Sequence, residues 1–144
     1  MRITQDKLIG MLKSERPGFK EAVIGRALVA IFKRQTKDEQ AVNVTNCHNG
    51  IGFTGADAHS GCITAKYYIK HRTLLDWQVE RWTKTNRNGV PRIAKYWKQL
   101  DQIARERQAW EDRKVELRMK EAVAKRELEE EQRRMEQKFE MERV

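Results

Sequence analysis

After Pro91 the chain runs for 53 residues without a glycine or a proline. Those are the two residues that most strongly interrupt a helix, one by backbone entropy and the other by a lost N–H and a steric clash. The sequence therefore predicts one helix from Pro91 to the C-terminus, roughly 80 Å long at 1.5 Å per residue. Its first part carries Ile93, Tyr96, Trp97, Leu100 and Ile103 at spacings that can pack against a core. Further along, one heptad track meets Arg107, Lys114 and Glu121, and the other meets Glu131 and Lys138. Charges at seam positions weaken a long two-stranded coiled coil. The pairs Glu116/Lys120, Glu121/Lys125, Glu129/Arg133 and Glu130/Arg134 support the helix in water instead, at about 0.2–0.5 kcal/mol each. The expectation is a compact basic helical head over 1–104 and an extended charged helix over 105–144. That helix can stand in solvent, fray, or pair weakly with a second copy as a homodimer, and a helix with partial pairing is the favoured expectation.

Ahead of the long helix the chain reads as a series of short ones. Thr4 can cap a helix over 4–13 with Leu8, Ile9, Met11 and Leu12 on its apolar face. The segment SERPG breaks it, because Pro17 disfavours helical geometry at Arg16. A second helix over 19–34, apolar nearly all round in AVIGRALVAIF, is the expected centre of the core, with Arg26 snorkelling to its edge. Thr36 and Glu39 have the spacing of a capping box, and Val42 and Val44 fit a short strand. Helical spacing resumes from Asp57 or Ser60 to His71 through Ile63, Tyr67 and Ile69. Thr73 is placed to cap a helix over 74–84 whose stripe is Leu75, Val79 and Trp82. TNRNG is a turn, and Pro91 suits the first turn of the last helix. The fold class is mainly α: a small helical head, a Gly-rich connecting loop with a short strand, and the long charged helix.

Composition fits this picture. Apolar residues make up 39% of the chain and charged residues 35%, against about 45–50% and about 25% in average globular domains. A small core and much solvated surface follow. The net charge is +9, and residues 1–98 hold 18 Lys and Arg against 8 Asp and Glu. A basic head favours a polyanionic partner, since cations at phosphates release condensed counterions. Ordinary solubilising charge is the competing reading. No run approaches the roughly 18 apolar residues of a membrane span, and MRITQDKLIG lacks a signal-peptide core. A soluble intracellular protein is expected, its two cysteines thiols and not a disulfide.

The chemistry-bearing residues concentrate between Asn43 and Trp77. Gly50, Gly52 and Gly55 have the spacing of a dinucleotide-binding fingerprint, with Asp76 near the distance of its ribose acid. The preceding NVTNCHN is polar, however, and Asp76 falls in a helical pattern, so the glycines read as turn residues. Cys47, His48, His59, Cys62 and His71 are zinc-ligand types. Only His59 and Cys62 form a pair of suitable spacing, and no metal or other cofactor is expected. Asp57 reads as a helix N-cap. No nucleophile–base arrangement stands out, and the expectation is a protein without catalytic residues.

Cations and aromatic rings interleave through the last third of the head. Lys66, Tyr68, Lys70 and Arg72 open the pattern. Trp77, Arg81, Lys84 and Arg87 continue it, and Arg92, Lys95 and Lys98 repeat it after the turn. Cations can hold phosphates while rings stack unpaired bases, at about 1–3 kcal/mol per base. These eleven residues are the candidate nucleic-acid-binding set. The competing reading puts the rings, Tyr67, Trp82 and Trp97 above all, in the core.

The blocks RQTKDEQ at 34–40, NGIGFTGADAH at 49–59, LLDWQVERW at 74–82 and PRIAKYWKQL at 91–100 resemble a small module of bacteriophage and plasmid proteins. That module has the pattern NG-x-GF-x-G-x-DA, then Q, then K-Y-x-x-Q-L. It occurs in phage early proteins and beside helicase-like and other DNA-processing domains. The resemblance spans about residues 27–104. It departs from the pattern at 73–78, and Cys47, His59 and Cys62 are not module positions. It implies a phage origin and action in the host bacterial cytoplasm. The expected function is a nucleic-acid-binding accessory protein of DNA replication, recombination or processing that prefers single strands. The alternatives are an early protein that inhibits or redirects a host defence or replication protein, and a scaffolding protein built on the long helix.

Overall fold

The computed structural model describes residues 2–35 and 51–143. The capping box at 36–39, the strand at 42–45, and Cys47 and His48 lie outside the described residues. The protein is mainly helical, with no strand among the described residues. It divides into two compact units, Met1–Arg105 and Glu106–Val144.

The first unit opens with α1, Gln5–Leu12, whose cap is the expected one: Thr4 Oγ1 accepts from the Lys7 N–H at 3.2 Å. Leu8 and Leu12 are buried. Just before it, the N-terminal segment is tied to the start of the last helix. The Arg2 guanidinium reaches the Asp101 carboxylate at 3.0 Å, and the Ile3 N–H donates to the same group at 2.9 Å. The Arg2 hydrogen bonds, and then that of Ile3, hold the Asp101 carboxyl below the usual range. Its stabilising effect is present above the ordinary aspartate value of about 4 and is lost as the pH falls through the depressed one.

Helix α2, Phe19–Lys33, is the centre of the core as its composition required. Ile24, Leu28 and Ile31 are fully buried, and Arg26 faces solvent. Helix α3, Ala58–His71, packs against it with a different face from the one periodicity suggested. Ile63 and Ile69 are exposed, and the buried stripe is Ala58, Gly61, Cys62, Thr64, Ala65 and Tyr68. Small residues let the two helices approach, and aromatic rings take the space above two of their glycines. A Cβ at Gly25 would lie 2.3 Å from the Tyr68 ring, and one at Gly61 would lie 2.6 Å from Phe53. Gly25→Ala should therefore lower stability by about 1–3 kcal/mol through overpacking. Gly10→Ala, in open space on α1, should raise it by roughly 0.5–1 kcal/mol. Thermal melts followed by circular dichroism read both, and a Gly25→Ala variant as stable as the parent would refute the close α2–α3 approach.

Helix α4, Asp76–Thr83, begins later than Thr73. Leu75 occupies the cap position, and its N–H donates to Gln78 Oε1 at 2.8 Å. Gln78 and Trp82, four residues apart, share its buried face. Val79 is half-buried, Leu75 is exposed, and the neighbouring Leu74 is the one that enters the core. The turn over 85–91 closes on itself. Asn86 Oδ1 accepts from the N–H groups of Asn88 and Val90 at 2.9 and 3.0 Å, and Gly89 takes a positive φ of 74°. The Arg92 N–H then donates to the Lys84 carbonyl at 3.0 Å, which holds the two ends of the turn side by side.

Pro91 immediately precedes a 3-10 helix, Arg92–Tyr96, which continues into α5, Trp97–Glu142. Ile93, Tyr96 and Leu100 are buried as expected for the packed start of the last helix, Trp97 and Ile103 are half-buried, and Ala94 is buried with them. In the second unit the helix is exposed on every side, with only Lys114 partly covered. No helix among the described residues is long and apolar enough to cross a membrane.

Candidate nucleic-acid interface

The 85–91 turn and the face of α4 border a groove of about 570 Å³. Trp77, Arg81 and Lys84 line it from the α4 side, and Arg92 and Lys95 from the 3-10 helix. Glu80 is the acid among the lining residues, and Thr85, Asn86, Val90 and Pro91 complete the rim. On α4, Trp77, Glu80 and Arg81 stand at three- and four-residue steps on a face apart from that of Gln78 and Trp82, and Lys84 follows as the extended residue that ends the helix. Trp77 is 56% exposed, which leaves much of its indole accessible.

Behind the groove lies a buried carboxylate. Asp57 is 1% exposed and stands at the start of α3, yet its side chain makes no capping hydrogen bond. Asp57 holds the N-cap position expected from the sequence, but longer-range partners claim its carboxylate. Oδ2 accepts from the Tyr96 hydroxyl at 2.5 Å and pairs with the Lys95 ammonium. Oδ1 faces Arg92 Nε at 3.6 Å, an ion-pair separation beyond hydrogen-bond reach. The Tyr96 hydroxyl also accepts from the Thr54 N–H at 3.2 Å. Burial first, and then the bond to Asp57, push the Tyr96 phenol well above its ordinary value. Nearby, Gln99 pairs its side-chain amide with the Gly52 backbone, accepting and donating at 2.9 Å each. Gly52 has a φ of 84°, which a side chain would strain.

Two of the blocks singled out in the sequence thus meet. Gly52, Thr54 and Asp57 of GFTGADA bind Lys95, Tyr96 and Gln99 of KYWKQL. The residues that carry the resemblance are ones that hold this unit together. Their common effect is to fix Arg92 and Lys95 at one wall of the groove. Sequence reading missed Asp57 and Gln99 as organisers. No local signal marks them, because their partners lie 39 and 47 residues away, beyond the reach of periodicity.

Of the eleven candidate residues, the structure brings Trp77, Arg81, Lys84, Arg92 and Lys95 into one groove. Arg87 sits on the exposed turn outside it. Lys70 and Arg72 are exposed at the end of α3, where Arg72 takes the left-handed cap conformation with a φ of 58°. Lys66 lies over the Phe32 ring and Lys98 over the Trp97 ring. Tyr68 is a correction. It is 8% exposed, with its ring over Gly25, so it cannot stack on a base. Among the described residues no three His, Cys, Asp or Glu side chains cluster as a metal site. Cys62 is buried with its thiol against the Gln35 side-chain amide, and His59 is exposed.

The class that fold and site define is a small helical unit with a basic-aromatic groove. Comparisons of sequence and structure find no matching family, no similar curated protein and no similar solved structure.

Proposed function

We propose that the first unit binds single-stranded nucleic acid in this groove. Trp77 stacks on a base while Arg81, Lys84, Arg92 and Lys95 hold the flanking phosphates. On this reading the protein is a phage-encoded accessory factor of DNA replication, recombination or processing in the bacterial cytoplasm. The carrying observation is the convergence of one exposed indole and four cations on one concave surface. The volume supports it, since sites for small ligands span about 300–1,000 Å³. Single strands are favoured because an indole face stacks only on a base freed from its pair. Asp57 takes up part of the charge of Arg92 and Lys95 and holds them in place, which leaves Arg81 and Lys84 as the freer phosphate ligands.

Four neutralised phosphates give a slope of about −2.8 in log K against log salt for a single strand. Fluorescence anisotropy with a labelled mixed-sequence oligonucleotide, repeated across a salt series, measures it. Binding without salt dependence, or no binding at low salt, would sink the proposal. A host protein retained at fixed stoichiometry after nuclease treatment, with no oligonucleotide binding, would replace it by the host-protein reading.

A further inference from the structure

The second unit carries an apolar stripe that a fixed heptad does not reveal. Trp110, Leu117, Ala124, Leu128, Met135 and Phe139 fall within about 60° of one another at 100° per residue. All are exposed, Trp110 at 50% and Met135 at 66%. The stripe crosses from one heptad track to the other between Ala124 and Leu128. It then recurs every eleven residues, from Leu117 to Leu128 to Phe139 and from Ala124 to Met135. Eleven residues make just over three whole turns, so a nearly straight helix keeps the stripe on one face. Its narrowness is that of a helix–helix seam and not of a face laid on a broad core.

Charge selects the occupant. Residues 106–126 hold 7 Lys and Arg against 5 Asp and Glu, and residues 127–144 hold 4 against 7. Beside the stripe, Lys114, Arg118, Lys120 and Lys125 stand in the first half. Glu127, Glu129, Glu131 and Glu136 stand in the second, with Glu111 and Lys138 against the trend and Glu121 lying within the stripe itself. Two parallel copies would align like charges along the seam. Two antiparallel copies would set each basic half against the other's acidic half.

We infer that residues 106–144 pair with the same segment of a second copy of this chain, antiparallel and centred near Arg126. Ala124 then meets Leu128 of the second copy and Leu117 meets Met135, while Lys120 and Lys125 come beside Glu131 and Glu129. The opposite face is a weaker seam. Val115, Met119 and Val123 make a short apolar patch there, and Arg126, Glu130 and Arg133 continue that face.

Sedimentation velocity of the full chain over a concentration series is expected to show a monomer–dimer equilibrium. Leu128→Glu should abolish the dimer with no change in the near-ultraviolet signal of the core, and Val123→Glu should leave the dimer intact. A short bismaleimide fixes the direction, with the parent chain as control for its own cysteines. Ala124→Cys should cross-link, because the two thiols lie roughly 6 Å apart along the pair. Met135→Cys should not, with its thiols roughly 27 Å apart. A monomer at every concentration, a dimer that survives Leu128→Glu, or equal cross-linking of the two cysteine variants would each overturn the inference.

Discussion

Asp57→Ala is expected to destabilise the first unit by about 3 kcal/mol, at the lower end of what breaking a buried ion pair costs. The low end applies because the Arg92 and Lys95 side chains are 38% and 40% exposed and can re-solvate once the carboxylate is gone. The buried Tyr96 hydroxyl has no such recourse and loses its acceptor. Against a typical total of about 5–15 kcal/mol, this is a large share. Urea denaturation followed by tryptophan emission measures it, since Trp82 is fully buried. A loss under about 1 kcal/mol would mean that the carboxylate does not organise the unit.

Tyr96→Phe separates the hydroxyl from the charge. Removing the donor leaves the buried carboxylate one partner short, at a cost of about 1–3 kcal/mol. The phenol also imposes a pH dependence with a definite sign. Its folded value lies above the unfolded one of about 10, so its stabilisation is complete below pH 10 and declines as the pH rises beyond. The decline reaches at most about 1.4 kcal/mol per pH unit for one proton. Subtracting the profile of Tyr96→Phe from that of the parent isolates it from the lysines, and a flat difference above pH 10 would contradict it.

Trp77→Ala tests the groove without touching the core. Loss of one stacked base should weaken binding by about 1–3 kcal/mol, or roughly 5- to 150-fold. Stability should change by less than about 0.5 kcal/mol, because the side chain is mostly exposed. Arg81→Ala and Lys84→Ala should each bring the salt slope about 0.7 closer to zero. The pattern expected is affinity loss at unchanged stability for these three, and a large loss of stability for Asp57→Ala. Unchanged affinity in Trp77→Ala would remove the stacking role.

The positions of the helices are legible in the sequence, and for local reasons. Thr4 caps α1, Pro17 and Gly18 separate α1 from α2, TNRNG ends the α4 region, and the lack of glycine and proline after Pro91 commits the remainder to helix. These signals act over four residues or fewer, the reach of a helical hydrogen bond or a cap. The faces are less legible. α3 buries Gly61 and Ala65 and exposes Ile63 and Ile69, because fit to α2 and Phe53 outweighs the hydrophobicity of single positions. α4 starts two residues later than expected, and its buried face carries the polar Gln78 beside Trp82.

The candidate site divides the same way. Its residue types, cations with an aromatic ring, are readable from the interleaving of Trp77, Arg81, Lys84, Arg92 and Lys95. Their sequence neighbours Arg87 and Lys98 have the same chemistry and lie elsewhere, a distinction made by the direction each side chain takes from its element. Asp57 shows the limit most clearly. Read locally, an acid at a helix start is a cap. Its partner Tyr96 is 39 residues away, and only the packed fold brings phenol and carboxylate within 2.5 Å. What the sequence alone determined was where this chain is helical and where it is charged. Which faces are buried, and which cations share a groove, was decided by tertiary packing, because those outcomes depend on the shape of segments that no local pattern can reach.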